Sequence, residues 1–245
     1  AKLKPYIGIV SCGGSPIPLT DRREDREAAL KAMFNQKDGE RLNLSHGDLL
    51  DPVVLGKYPD RLVPFLPAGY EKEMAIITQP LDYIGLNLYS GFHVKYDEKE
   101  GYLREAEPVG KEETSMEWKV EPKCLYWTPK MVIDRYQLPV YITENGMANN
   151  DWVALDGQVH DPQRIDFIKR YLKELLKLAD EGYQNKLAGY FYWSLLDNFE
   201  WALGYTKRFG LVHVDFTTLK RTMKDSAYYY QKLIASNGEL LNAER

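Results

Sequence analysis

Four apolar runs punctuate the chain. Residues 5–11 (Pro-Tyr-Ile-Gly-Ile-Val-Ser), 81–89 (Leu-Asp-Tyr-Ile-Gly-Leu-Asn-Leu-Tyr), 139–142 (Pro-Val-Tyr-Ile) and 187–195 are rich in β-branched, aromatic and aliphatic side chains. Near-continuous apolar runs are typical of strands covered on both faces, as in a parallel sheet. Helical spacing fills the intervals. Asp21 can cap a helix to about Asn35, with Ala28, Ala29, Ala32 and Met33 inward. Residues 44–69 are irregular, with a short helix over 51–56 and breaks at Pro59, Pro64 and Pro67. A short helix is expected over 71–78, and a helix over 128–136 entered through Pro129. Asp161 and Pro162 start the longest helix, to about Glu181. Ile165, Ile168, Leu172, Leu175, Leu176 and Ala179 form its stripe, and Gly182 ends it. A last helix spans 225–236, closed by Asn237-Gly238. Residues 95–117 read as a polar excursion with a hairpin at Glu100-Gly101, and 209–216 as a small hairpin arm. Gly13, Gly14, Pro16 and Pro18 read as a loop.

The resulting order is β, α, β, α, β, α, β, α, which means a parallel sheet with helical cover. It can close as a doubly wound sheet or as part of a (β/α)8 barrel. No Gly-x-Gly-x-x-Gly follows a strand, so a dinucleotide fold loses weight. Polar and aromatic residues gather at the C-terminal strand ends, where barrel enzymes keep their sites.

Composition narrows the class. At 245 residues, 44% hydrophobic and 28% charged, the chain suits a soluble globular protein with one large core. A net charge of −4 offers no basic surface for nucleic acid and no polybasic patch for a membrane. No apolar run approaches 18 residues and no signal-peptide segment is visible. Cys12 and Cys124 lie far apart and suggest free thiols in a reducing compartment, hence a cytoplasmic location. His46, His93, His160 and His213 show no metal-ligand spacing, so no metal or other cofactor is expected. The 18 Tyr and 5 Trp stand out. Aromatic walls suit sugars, whose C–H faces are apolar while their hydroxyls need polar partners.

The candidate chemistry lies at three strand ends. Glu144 sits where the run 139–142 gives way to Thr143-Glu144-Asn145-Gly146. Gly146 allows a sharp exit there that a Cβ would hinder. Asn87 and Tyr89 are two apart at the second strand's end and so should share a face. A Tyr89 hydroxyl beside Glu144 could stabilise its anion and orient one oxygen for attack. Trp193-Ser-Leu-Leu-Asp-Asn-Phe-Glu-Trp201 puts two indoles and Glu200 at the mouth of the fourth strand. Exposed without a ligand, they would cost solubility. A sugar floor with a carboxylate that accepts hydroxyl hydrogen bonds explains them together. Asp197 reads as a loop cap.

These stretches resemble glycoside hydrolase family 1, the retaining β-glucosidase type. The matching segments are Asp82-Tyr-Ile-Gly-Leu-Asn-Leu-Tyr89, Tyr141-Ile-Thr-Glu-Asn-Gly146, Trp193 to Trp201 and Gly204-Tyr-Thr-Lys-Arg-Phe-Gly-Leu211. Trp118, Val120, Pro122, Leu125 and Tyr126 fit the family's Trp-x-Ile-x-Pro-x-Gly-Leu-Tyr, with Cys124 where Gly is usual. Asp51-Pro52, Gly56 and Tyr58-Pro59 also fit. The resemblance implies an α/β fold of the TIM (β/α)8 type. It casts Glu144 as nucleophile, Tyr89 as its holder and Asn87 as a wall residue. Trp118 would shape the aglycone entrance. Glu200 would bind sugar hydroxyls, and Trp193, Trp201 and Phe209 would form the platform. A carboxylate at position 200 would repel a phosphate, so an unphosphorylated β-glucoside is expected, with β-galactosides as a side activity.

A retaining glycosidase needs two carboxyl groups roughly 5 Å apart. The family's proton donor lies in a Thr-x-Asn-Glu-Pro motif on its fourth strand, and that motif is missing here. So are the family's Arg beside the nucleophile and its Gln and His for the sugar. The resemblance therefore makes residues 1–245 the C-terminal half of one catalytic barrel domain, strands five to eight with their helices. Four strands alone would leave two unpaired edges and an uncovered inner face. A complementary N-terminal half, on a second chain or as a segment of a longer one, is the expected partner, and the chain alone should be inactive. Two rivals remain: a non-catalytic sugar-binding half barrel, and a phosphate-handling barrel isomerase. The second would need a glycine-rich phosphate loop where Trp193 to Trp201 stands.

Overall fold

The computed structural model describes residues 4–34 and 45–243. In chain order its elements are β1 (Gly8–Cys12), β2 (Pro16–Pro18), α1 (Arg23–Phe34), α2 (His46–Leu50), α3 (Met74–Ile77), β3 (Tyr83–Asn87), β4 (Phe92–Asp97), β5 (Gly101–Arg104), α4 (Cys124–Tyr136), β6 (Val140–Asn145), α5 (Pro162–Leu178), β7 (Leu187–Tyr192), β8 (Val212–Val214), β9 (Arg221–Met223), α6 (Asp225–Ala235) and α7 (Glu239–Ala243). The four apolar runs become β1, β3, β6 and β7. They form one parallel sheet in that order. Among the described residues β1 pairs only with β3 and β7 only with β6, so both outer edges are open.

The two faces of this sheet differ. On one, Ile84, Leu86, Val140 and Ile142 are fully buried in a single core with Ala29 and Met33 of α1, Val132 of α4 and Phe167 of α5. The other carries a row of rings. Tyr6 stacks on Tyr83 at 5.3 Å, Tyr83 meets Tyr141 edge-on at 5.1 Å, and Tyr141 lies 6.4 Å from Phe191. Glycines make room for them: a Cβ on Gly8 would stand 2.6 Å from the Tyr83 ring, and one on Gly189 2.9 Å from Tyr141. This ringed face stays wet, with Tyr6 59% and Phe191 57% exposed.

Several local expectations change. The loop through Pro16 and Pro18 contains β2, paired in parallel with β4, and β4–β5 is the hairpin turning near Gly101. Proline is tolerated because β2 lies on the edge of its sheet, while Ile17 between the prolines is fully buried. Asp21 does not cap α1, which starts at Arg23. Thr20 Oγ1 accepts from the Arg22 N–H at 3.3 Å and donates to buried Asp25 at 2.5 Å. The expected end of that helix at Asn35 lies outside the described residues. Pro129 falls inside α4, which already begins at Cys124. The segment over 71–78 divides into a 3-10 turn, Tyr70–Lys72, and α3. The longest helix loosens into a wide turn at Ala179–Tyr183, where Gly182 has φ 102°. The arm over 209–216 supplies β8, which pairs with β9, and α7 follows Gly238.

One buried histidine sets an acid limit. Ser45 and Asp48 form a capping box at the start of α2. This holds His46 against β1, where its Nδ1 is 2.8 Å from Ser11 Oγ. Its Nε2 has no hydrogen-bond partner among the described residues. Burial pushes the imidazole down to about 4 from 6.5. The folded value is the lower one, so the unfolded chain takes the proton first. The stabilisation is complete above pH 6.5 and is lost as pH falls toward 4. Urea unfolding should show about 2 kcal/mol less stability at pH 5 than at pH 7 from this group. His46→Gln should remove that increment of pH dependence.

Candidate active site

Glu144 stands at the C-terminal end of β6, beside the end of β3. The Tyr89 hydroxyl donates a short hydrogen bond to its Oε2. Burial, and then the charge and hydrogen bond of Glu144, push the Tyr89 hydroxyl far above its ordinary range, so it remains a donor. Tyr89 is fixed from behind. Its carbonyl accepts from the Tyr171 hydroxyl of α5 at 2.9 Å, and that hydroxyl oxygen in turn accepts from the Glu121 N–H at 2.9 Å.

Asn145 locks the strand ends together. Its side chain is fully buried. Nδ2 donates to the Leu88 carbonyl at 2.7 Å, Oδ1 accepts from the Tyr190 hydroxyl at 2.8 Å, and the backbone carbonyl accepts from Trp193 N–H at 2.8 Å. Asn145 thus ties β3, β6 and β7 immediately next to Glu144. Gly146 is required by contact: a Cβ there would lie 1.9 Å from the Trp193 carbonyl oxygen. Asn145→Ala strands the Tyr190 hydroxyl and the Leu88 carbonyl. Urea unfolding should show a loss of about 2–4 kcal/mol for the two orphaned groups.

Beyond Leu86 the pairing shifts by one residue, with Thr143 of β6 left over, so Asn87 stands opposite Glu144. Asn87 Oδ1 accepts from Thr143 Oγ1 at 2.7 Å, one residue short of Glu144. Trp118, Tyr89 and Phe209 form a triangle with ring centroids 5.1–6.1 Å apart. Phe209 is only 2% exposed. It packs behind Trp118 and Tyr89.

Trp193 and Glu200 face each other after β7. The Glu200 carboxyl is raised by partial burial, opposed by the Trp193 hydrogen bond, and raised further by the Glu144 charge. The two carboxylates thus lie within electrostatic reach. Trp201 is 84% exposed on the same loop. The expected pair of indoles is therefore unequal, one held against Glu200 and one open to solvent.

A buried ionic network underlies these loops. Arg164, Lys224, Asp151, Asp161 and Asp197 all have side chains with no exposure. Arg164 donates to Asp151 at 2.7 Å and also to Asp161, while Lys224 Nζ reaches Asp151 at 2.6 Å and Asp197 at 2.9 Å. Burial alone would raise the Asp151 carboxyl, but Arg164 and Lys224 outweigh it and hold it below its usual range. Asp197 accepts from Gly210 N–H, Val214 N–H and Arg208, so it organises its loop as expected. The spacing of Asp161 with Arg164 across the start of a helix was the available signal. The partners at 197 and 224 had none.

Cys12, at the end of β1, and buried Cys124 are both free thiols. Among the described residues no group of three His, Cys, Asp or Glu side chains could hold a metal ion. Among the same residues no helix is long and apolar enough to cross a membrane.

The chain is similar to known proteins over nearly its whole length. The 1,4-beta-D-glucan glucohydrolase of Thermotoga neapolitana is 42% identical over 238 residues, which cover 95% of this chain and 51% of that protein. Beta-glucosidase A of Thermotoga maritima is 41% identical over 242 residues, again 95% and 51%. The solved family 1 b-glucosidase from Thermotoga maritima superposes with a TM-score of 0.76 at 40% identity, over 94% of this chain and 51% of that one. The chain thus spans about half the length of the curated relatives it matches. Its sheet with helical cover is similar to about half of that enzyme's fold. A profile of Glycosyl hydrolase family 1 runs from residue 3 to residue 239. With so little of the sequence outside that match, this chain belongs to glycosyl hydrolase family 1.

Proposed function

We propose that this chain supplies the nucleophile side of a retaining β-glucosidase. The observation that carries the reading is the short Tyr89–Glu144 hydrogen bond at the joined ends of β3 and β6. Tyr89 donates to Oε2 of Glu144. Oε1 would attack the anomeric carbon, the aglycone oxygen would leave with a proton from a general acid, and water would then release the glucosyl group. Glu200 with Trp193 would bind the non-reducing sugar, while Trp118 would border the aglycone and Asn87 the inner wall. Terminal β-D-glucosyl residues are the proposed substrate.

β1, β3, β6 and β7 would be strands five to eight of a (β/α)8 barrel. The proton donor would come from a complementary half, either a second chain or a further segment of the same one. Three features support this reading. Both sheet edges are open among the described residues, the ringed face is exposed, and the relatives are about twice as long. Parallel sheets are rarely left bare on a face. The two free thiols fit a reducing compartment, and we place the protein in the cytoplasm on that ground.

A 2-deoxy-2-fluoroglucoside with an activated leaving group tests the proposal. Peptide mass analysis should find the glucosyl label on Glu144 when the complementary half is present and none without it. Glucoside binding with no label in any mixture would favour a non-catalytic sugar-binding half barrel. A label on the chain alone would refute the need for a complement.

A further inference from the structure

We propose that Lys224 is a positioning residue for the candidate sugar site, setting the loop that carries Glu200 against the loop that follows Glu144. The inference rests on the sugar-binding reading of that site. Lys224 lies between β9 and α6 and is held by both loops. Its N–H donates to the Leu211 carbonyl at 3.0 Å, and the next residue, Asp225, donates its N–H to the Val159 carbonyl at 3.0 Å. Its ammonium then joins Asp151, five residues beyond Gly146, to Asp197, three residues before Glu200. Asp197 in turn gathers Gly210, Val214 and Arg208 at the far stem of the second loop.

Other ties between the loops meet elsewhere. Asn149 N–H and Arg164 both reach the Arg208 carbonyl, at 3.1 Å and 2.8 Å. They hold the outgoing stem. Lys224 reaches the incoming stem, which leads directly to Glu200. A lysine suits this place because one compact ammonium can donate to two carboxylates at once. Asp151, Asp161 and Asp197 are balanced by Arg164, Arg208 and Lys224. Small displacements of a binding group matter here, since a shift near 1 Å can cost about a hundredfold in rate.

Lys224→Met alone would leave a buried carboxylate unmatched and could prevent folding. The test therefore uses the charge-balanced pair Asp151→Asn with Lys224→Met. In the chain itself, amide hydrogen exchange over 193–204 and at Gly210 and Val214 should quicken by about tenfold or more, with β1, β3 and α4 unchanged. A uniform rise, or none, overturns the proposal. In the chain joined to its complement, KM for a β-glucoside should rise about tenfold. The pair combined with Glu200→Ala should be no worse than Glu200→Ala alone, because both act through one group. Full additivity of the two effects overturns the proposal. Should Glu200→Ala leave glucoside handling intact, the sugar-binding reading of Glu200 fails, while the exchange measurement still decides whether Lys224 sets the loop.

Discussion

Glu144→Gln in the chain joined to its proton-donating half should lower β-glucoside turnover by about 10⁴-fold or more, the scale seen when a covalent nucleophile is removed. The effect should fall on kcat and on kcat/KM together, because the carboxylate contributes in the transition state of its own attack on the anomeric carbon. Folding should change little. Gln is the same size, and its amide oxygen can still accept from Tyr89. Glu144→Ala gives a sharper test, because it leaves a space beside Tyr89 that a small anion such as azide can enter. Azide would attack from the side Glu144 now occupies, and the product should be an α-glucosyl azide. A β-azide would assign the attacking group to a different residue.

Arg164→Met should be the most damaging single change for stability. The side chain has no exposure and donates to Asp151, Asp161 and the Arg208 carbonyl. Methionine fills much of the volume and answers none of those acceptors. Loss of one member of a buried ionic set costs about 3–5 kcal/mol, a large share of the stability of an ordinary domain. Urea midpoints at pH 7 would measure it. A second signature is acid sensitivity. Asp151 is held low in the native protein, so its contribution is present above the ordinary carboxylate range and lost as pH falls through the lowered value. Without Arg164, that loss should begin at a higher pH.

The contrast between these two positions shows what the sequence could reveal. Glu144 was legible because its surroundings are local: an apolar run, a strand end and a glycine within eight residues. The strands were legible for a similar reason, since aliphatic side chains on one face and aromatic rings on the other make each a continuous apolar run. Arg164 and Lys224 were not. Their carboxylate partners lie up to 73 residues away, and a charge that folds into a sealed network has the same letter as one on the surface. Tyr171 was hidden within the apolar stripe of α5, where only the fold shows its hydroxyl reaching the carbonyl of Tyr89. Elsewhere strong local rules gave the wrong boundary. Pro16 and Pro18 signalled a loop, but an edge position lets them pair, and Pro129 signalled a helix start although α4 begins a turn and more earlier. Each error came from a rule about a residue's own backbone that tertiary packing had overridden.

The alternation of rings and glycines across the open face of the main sheet limits how this protein can vary. Tyr141 lies over the place where Gly189 has no side chain, and Tyr83 does the same over Gly8. Bulk can then be moved between neighbouring strands but not added to one. Gly189→Ala by itself should be poorly tolerated, whereas the same change made together with Tyr141→Leu should recover much of the loss. Strand pairs in this layer are thus expected to drift in step, each gain in size on one matched by a reduction on the next.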